Sequence, residues 1–366
     1  MVLVYVIAAA LVVLFLVTRL APEALTAIGL MAERRRSGLS KKSATVDGFD
    51  MPYLEGGQGD VLLLIHGFGG DKDNFTRIAR QLTPHYRVII PDLPGFGEAS
   101  RNPKASYMMA DQVARIHSFI HQLGIERLHL GGNSMGGFIS AQFCAPYGHM
   151  VGSLWLLDPG GTLASHSSDM LLHYQKTGEN PLLVRRVEDF NETIRATTHK
   201  TPFLPRFARV ALGRRAVADF ELHTRIMREM AESPLLEATF QPMPTPALIV
   251  WGKQDQILNP AGAESFRQLF PNSQVILMDG IGHLPMAEDP ARTAQDYLRY
   301  RATVKYTRRK NVVWNRAQGA FHHASPRFKN TDAPCSPPCQ SLPAQAPAKF
   351  ARPRAACTPT PPRKPK

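Results

Sequence analysis

The sequence is short of cysteine, and outside one end it has no net charge. Four cysteines occur in 366 residues, and three of them, Cys335, Cys339 and Cys357, lie near the C-terminal end. No disulfide framework is implied, and Cys-Ser-Pro-Pro-Cys has neither the ligand spacing nor the foldable knuckle of a zinc site, so no metal is expected. Cys144 reads as a core residue. The formal net charge is +13, but from Arg301 onward there are 14 Lys and Arg against the single acidic Asp332, which leaves 29 basic and 29 acidic residues before that point. A neutral body has no electrostatic footprint for nucleic acid, so none is expected as a partner. Residues 302–366 mix basic residues, proline and alanine with no sustained apolar period. That composition predicts a disordered, Pro-rich basic tail.

Charge is missing altogether from Val2 to Val17, "VLVYVIAAALVVLFLV". As a helix this run spans about 24 Å, close to the roughly 30 Å hydrocarbon core once the next few residues are added. Residues 1–20 are therefore expected to anchor the chain in the membrane. No positive residue precedes the run, as one would in a signal peptide, whereas Arg19, Arg34, Arg35, Arg36, Lys41 and Lys42 follow it. The positive-inside rule then puts the rest of the chain on the cytoplasmic side of the inner membrane, with membrane lipid as a partner. Export after cleavage near Ala21 to Ala27 is the alternative. Residues 21–42 read as a basic linker, and residues 43–301 as the folded domain.

Within that domain six short, nearly continuous apolar runs alternate with helical patterns: "DVLLLIHGFGG", "YRVIIPDLPGFGEAS", "IERLHL", "GSLWLLDPGG", "PALIVWGKQDQ" and "SQVILMDGIGH". Such alternation predicts an α/β fold with a mostly parallel sheet covered by helices on both faces. Two earlier segments, around Ser43 to Val46 and Met51 to Leu54, are expected to add an antiparallel edge. The alternation breaks over about 161–241, where only helical patterns occur. A helical insertion after a strand's carboxyl end is where such a fold keeps a cap.

Between the third run and the next helical pattern stands "GGNSMGG", with Ser134 at its centre. Glycine serves where backbone turns sharply or approaches other backbone closely, so this is a tight strand-to-helix turn that projects a hydroxyl. No Gly-Lys-Ser/Thr follows, which excludes a phosphate loop. A serine hydroxyl needs a base to become a nucleophile. Of the later histidines, His283 in "DGIGHLPMAEDP" alone follows the last strand and precedes the last helix; His149, His166, His173, His199 and His223 fall in or near the insertion or on helices. An acid must hold the imidazole, and Asp255, at the end of the fifth run, is preferred over Asp158 at the end of the fourth. Two backbone N–H groups must face the developing oxyanion: that of Met135, next to the serine, and that of Phe68, in the Gly-rich loop after the first run. His66 in that loop reads as a structural brace.

"HGFGGDKDNF", "DLPGFGEAS", "GNSMGG", "WGKQDQ" and Gly282-His283, in this order and spacing, resemble the α/β-hydrolase superfamily. Within it they are similar to the membrane-anchored monoacylglycerol lipases of animals and to related bacterial lipases. The resemblance covers about residues 43–301, has the N-terminal anchor in common as well, and matches nothing in the tail. It implies a serine hydrolase that cleaves lipophilic carboxylic esters through an acyl-enzyme, with Ser134, Asp255 and His283 catalytic, Phe68 and Met135 forming the oxyanion hole, and no cofactor. Two alternatives stand beside it. "GNSMGG" also resembles the serine elbow of hydrolases that break carbon–carbon bonds in ring-fission products, although those often carry Trp where Leu284 follows the histidine. The other is a noncatalytic receptor on the same fold.

Overall fold

The computed structural model describes residues 18–304 together with residues 1, 2, 4, 5 and 7. Most of the Val2 to Val17 run and nearly all of the tail therefore lie outside the described residues. Among the described residues no helix is long and apolar enough to cross a membrane.

Among the described residues eight strands form one sheet: β1 Leu39–Val46, β2 Phe49–Gly56, β3 Val61–Ile65, β4 Arg87–Pro91, β5 Leu128–Asn133, β6 Val151–Leu157, β7 Ala247–Gly252 and β8 Ser273–Met278. Their order across the sheet is β1-β2-β4-β3-β5-β6-β7-β8. The pairs β1/β2 and β2/β4 are antiparallel and every other pair is parallel. The antiparallel edge begins with a hairpin whose turn is Asp47-Gly48, with φ of 50° and 79°. Two adjacent residues at positive φ are what a two-residue hairpin turn asks for.

The helices are α1 Pro22–Arg36, α2 Thr76–Leu82, α3 Met109–Gln122, α4 Met135–Tyr147, α5 Asp169–Thr177, α6 Phe190–Thr197, α7 Arg206–Ala218, α8 Phe220–Glu232, α9 Leu236–Thr239, α10 Gly262–Leu269, α11 Pro285–Glu288 and α12 Pro290–Thr303. They cover two apolar clusters. The larger contains Leu63, Ile65, Ile89, Leu130, Leu154, Leu156, Ile249 and Trp251 with Phe119, Phe138 and Phe143 from α3 and α4. The smaller takes the alternate positions Leu62, Leu64, Val88, Ile90, Trp155, Leu157, Leu248 and Val250 with Phe75, Leu82 and Tyr297. Alternate side chains of one strand point to opposite faces, so strands that serve both clusters are apolar at nearly every position. That requirement produces the continuous runs in the sequence. At about 1.5–3 kcal/mol for each fully buried large apolar side chain, these clusters are the main favourable term of the fold. Cys144 is buried and free, and burial pushes its thiol up to about 12.

Between β6 and β7 the chain leaves the sheet and forms α5 to α9, a helical cap. Two boundaries differ from the sequence reading. Residues 21–42 are not a linker: α1 occupies Pro22–Arg36, and β1 starts at Leu39, four residues before 43. Proline at the first helical position, Glu23 in the first turn and Arg34 to Arg36 in the last turn suit a helix start, its positive end and its negative end. The helix escapes an apolar-period reading because polar contacts hold much of it. Arg34 makes a two-pronged contact with Asp73 at 2.7 and 2.5 Å. Glu23 meets Arg214 of α7 at 2.8 Å.

Candidate active site

Ser134 sits between β5 and α4 with φ 56° and ψ −118°, a conformation that costs a non-glycine residue roughly 1–3 kcal/mol. The strain persists because hydrogen bonds fix the backbone on both sides. Ser134 N–H donates to Leu157 O at 3.0 Å, and Ser134 O accepts from Phe138 N at 3.0 Å and Gly160 N at 3.1 Å. Two glycines make the turn possible. A Cβ on Gly132 would lie 2.3 Å from the Gly136 carbonyl, and one on Gly136 would lie 2.1 Å from Ile65 O. The result presents a partly exposed hydroxyl at the carboxyl end of β5 and at the positive end of a helix dipole.

The loop after β3 lies against this turn, for a Cβ on Gly67 would come within 3.1 Å of Ser134 Cβ. Phe68 follows, its ring edge-on to Phe96 at 5.5 Å and tilted on His223 of α8 at 5.3 Å. Met135 is the first residue of α4, where backbone N–H groups have no partner within the helix. His66 is fully buried and bonded at both ring nitrogens: Nδ1 lies 2.8 Å from Gly67 O, and Nε2 accepts from Leu93 N at 3.0 Å. Burial holds its imidazole below the usual range. It is a brace between two loops.

His283 follows β8 and is 4 % exposed. Its Nδ1 lies 2.8 Å from Asp255 Oδ2. Asp255 stands just beyond β7 and accepts three more hydrogen bonds: Trp251 Nε1 on Oδ2 at 3.0 Å, and Ile257 N and Leu258 N on Oδ1 at 2.8 and 3.1 Å. Four donors favour the ionised form of this carboxylate and fix its orientation. The carboxylate in turn holds the imidazole with a proton on Nδ1, leaving Nε2 as the basic nitrogen.

Asp158, the other candidate acid, has no hydrogen bond to His283. It is fully buried at the end of β6 with φ 44°, and its Oδ1 accepts from Gly252 N at 2.8 Å. Two histidines of the insertion have other partners. His166 Nε2 accepts from Gly161 N at 3.2 Å, and His223 lies against Phe96 at 4.9 Å.

A strand-to-helix turn that carries a strained serine, with an Asp-His pair on the neighbouring loops, can be compared with known proteins. The family described as alpha/beta hydrolase fold matches residues 60–290. This chain belongs to that family. Lipase 1 of Psychrobacter immobilis is 39% identical over 282 residues, covering 75% of this chain and 88% of that lipase. Monoacylglycerol lipase ABHD6 of Mus musculus is 26% identical over 305 residues, covering 80% and 91%. The crystal structure of a membrane phospholipase A, a bacterial virulence factor, aligns at 39% identity and TM-score 0.75, covering 82% of this chain and 96% of that one.

Three features of this α/β hydrolase escape a reading of the sequence. The buried Asn133, just before the serine, donates from Nδ2 to Leu157 O at 3.1 Å and to His283 O at 3.0 Å. It ties the serine strand to the histidine loop across 150 residues. Its position inside "GGNSMGG", a polar residue among small ones before a turn, was the available signal. Trp251, on Asp255, was readable only as a core aromatic. Last, the cap grips the histidine loop: His283 N donates to Thr197 O at 3.0 Å. Glu288 accepts from Gly282 N on one oxygen at 2.9 Å, and from His199 N and Lys200 N on the other at 2.9 and 2.8 Å.

Proposed function

We propose that this protein is a serine hydrolase of lipophilic carboxylic esters, working through an acyl-enzyme. The observations that carry the reading are the Asp255–His283 hydrogen bond of 2.8 Å, a serine held at positive φ on a strand-to-helix turn, and the hydrogen bond of 3.0 Å from Asn133, the residue before that serine, to the His283 carbonyl. His283 Nε2 takes the proton of Ser134 Oγ as that oxygen attacks the acyl carbonyl. The N–H groups of Phe68 and Met135 receive the charge that develops on the carbonyl oxygen. His283 then passes its proton to the departing alcohol, and the same base activates water to release the acyl group. Asp255 stays ionised throughout and stabilises the imidazolium. Each step uses groups of this chain, so no cofactor or metal enters the account.

The substrate class rests on the relatives, which are named lipases and, at lower identity, monoacylglycerol lipases. An acylglycerol is the substrate we favour. Membrane attachment is part of the same proposal. Residues 1–20 hold the chain at the bilayer on its cytoplasmic side, where the substrate is dissolved, supported by the uncharged Val2 to Val17 run and the arginines that follow it. Anchoring raises the local concentration of a membrane-borne ester at the cap.

A fluorophosphonate probe tests the nucleophile. Labelling of the wild-type protein at Ser134, lost in Ser134→Ala, supports it, whereas labelling of the alanine variant overturns it. A panel of p-nitrophenyl esters and monoacylglycerols then ranks the substrates.

A further inference from the structure

One carboxyl in the site has no part in the reaction just described. Asp158 is fully buried; Oδ1 takes the Gly252 N–H at 2.8 Å, and Oδ2, equally shut off from solvent, has no hydrogen-bond partner among the described residues. A buried polar atom without a partner is costly, and each such case asks for an explanation. One carboxyl oxygen of Asp158, one of Asp255 and a ring nitrogen of His283 all lie within 4.8 Å of one another. Two carboxyls so close and so dry do not both stay ionised. The four donors on Asp255 favour the charge there, while Asp158 has a single donor. The backbone holds Asp158 at this spot at a cost. Its φ of 44° is strained, yet its N–H is fixed on Val250 O at 2.9 Å.

We propose that Asp158 keeps its proton and acts as a positioning residue, donating a hydrogen bond from Oδ2 to the Asp255 carboxylate. This rests on the reading of Asp255 and His283 given above. The bond supplies the missing partner of Oδ2, spreads the charge of Asp255 and keeps that carboxylate aimed at the imidazole. The charged and titratable groups facing Asp158 are Asp255, His283 and, more remotely, Glu288. Burial first and the Asp255 charge second push the Asp158 carboxyl well above the usual carboxylate range, with Glu288 acting the same way and the Gly252 N–H opposing.

The test uses the full chain with Asp158→Asn and Asp158→Leu, measuring kcat and KM on a soluble p-nitrophenyl ester across pH. Asparagine keeps a donor in the place of the acid proton; leucine does not. The Leu variant should lose roughly ten- to hundredfold in kcat with little change in KM, since a hydrogen bond to a charged group is lost. Its acid limb should also move to higher pH, because a bare Asp255 holds the imidazolium more strongly. The Asn variant should retain kcat within about threefold and leave the limb in place. If Asn instead moves the limb down by about half a pH unit or more, a negative charge beside His283 has been removed, and the proposal fails. Infrared difference spectra of wild type against Asp158→Asn at neutral pH give a second reading that needs no activity and does not depend on the Leu variant folding. A protonated-carboxyl stretch lost in the variant supports the proposal, and its absence from the wild type overturns it. Both outcomes are separable from failure of the ester-hydrolase reading, which would show as an active Ser134→Ala.

Discussion

The ends of β6 and β7 carry one aspartate each and put them to different uses. The strands are neighbours in parallel register, Leu157 beside Val250, so Asp158 and Asp255 emerge at the same edge of the sheet. Both are buried near His283, and distance alone would not separate them. What separates them is the supply of donors. The chain beyond β7 turns so that Ile257 N, Leu258 N and Trp251 Nε1 converge on Asp255 before the imidazole is counted. Asp158 receives the single N–H of Gly252. A carboxylate out of water keeps its charge only where N–H groups replace the lost hydration, so the donors, more than proximity, decide which aspartate serves the histidine.

The largest effect that would sharpen this contrast is expected at the histidine that both aspartates flank. His283→Ala should lower ester turnover by about four or more orders of magnitude with the fold intact, because nucleophile and base act as one unit. Circular dichroism together with kcat on one ester checks both halves of that statement. A smaller effect is expected from Asn133→Leu, which removes the tie between the serine strand and the histidine loop and takes its donor from the His283 carbonyl, while the Leu157 carbonyl keeps the Ser134 N–H. A buried group left unpaired costs about 1–3 kcal/mol, so the midpoint of urea unfolding should drop, and kcat should fall more than KM rises.

The smallest effect concerns pH and stability, and its sign follows from the raised carboxyl of Asp158. Above the ordinary carboxylate range the unfolded chain has lost this proton and the folded one holds it. Folding then takes up a proton, and the wild type loses stability as pH rises from about 4 toward the folded-state value. Asp158→Asn has no such proton to take up. Its stability relative to wild type should therefore grow from near zero around pH 4 to a gain at pH 7. Melting temperatures of the two proteins at matched pH values check this, and a constant difference across the range would break the contrast between the two aspartates.

How far the sequence foretold all this depends on the range of the interaction. The sheet was legible because β3 to β7 are largely buried on both faces and mostly apolar, so that fold class and strand order in the chain follow from local runs. The serine turn was legible because its steric demand falls on glycines within two residues of it. The choice between Asp255 and Asp158 was readable only as a preference, because the donors that decide it come from chain folded back after β7. The tie from Asn133 to His283 and the cap contacts of Glu288 with His199 and Lys200 link residues about 90 to 150 positions apart and leave no local period. Helix α1 was read as linker for a related reason. The part-buried ion pair Arg34–Asp73 holds it to chain that is distant in sequence.

The central claim is that Asp255, and not its neighbour, serves His283. The most direct measurement is kcat on one soluble ester for Asp255→Asn beside Asp158→Asn, both prepared as full chains. A loss of roughly 10⁴-fold is expected for Asp255→Asn, through an imidazole held in the wrong tautomer, and a loss of no more than about threefold for Asp158→Asn. Equal losses, or the larger loss at Asp158, would contradict it.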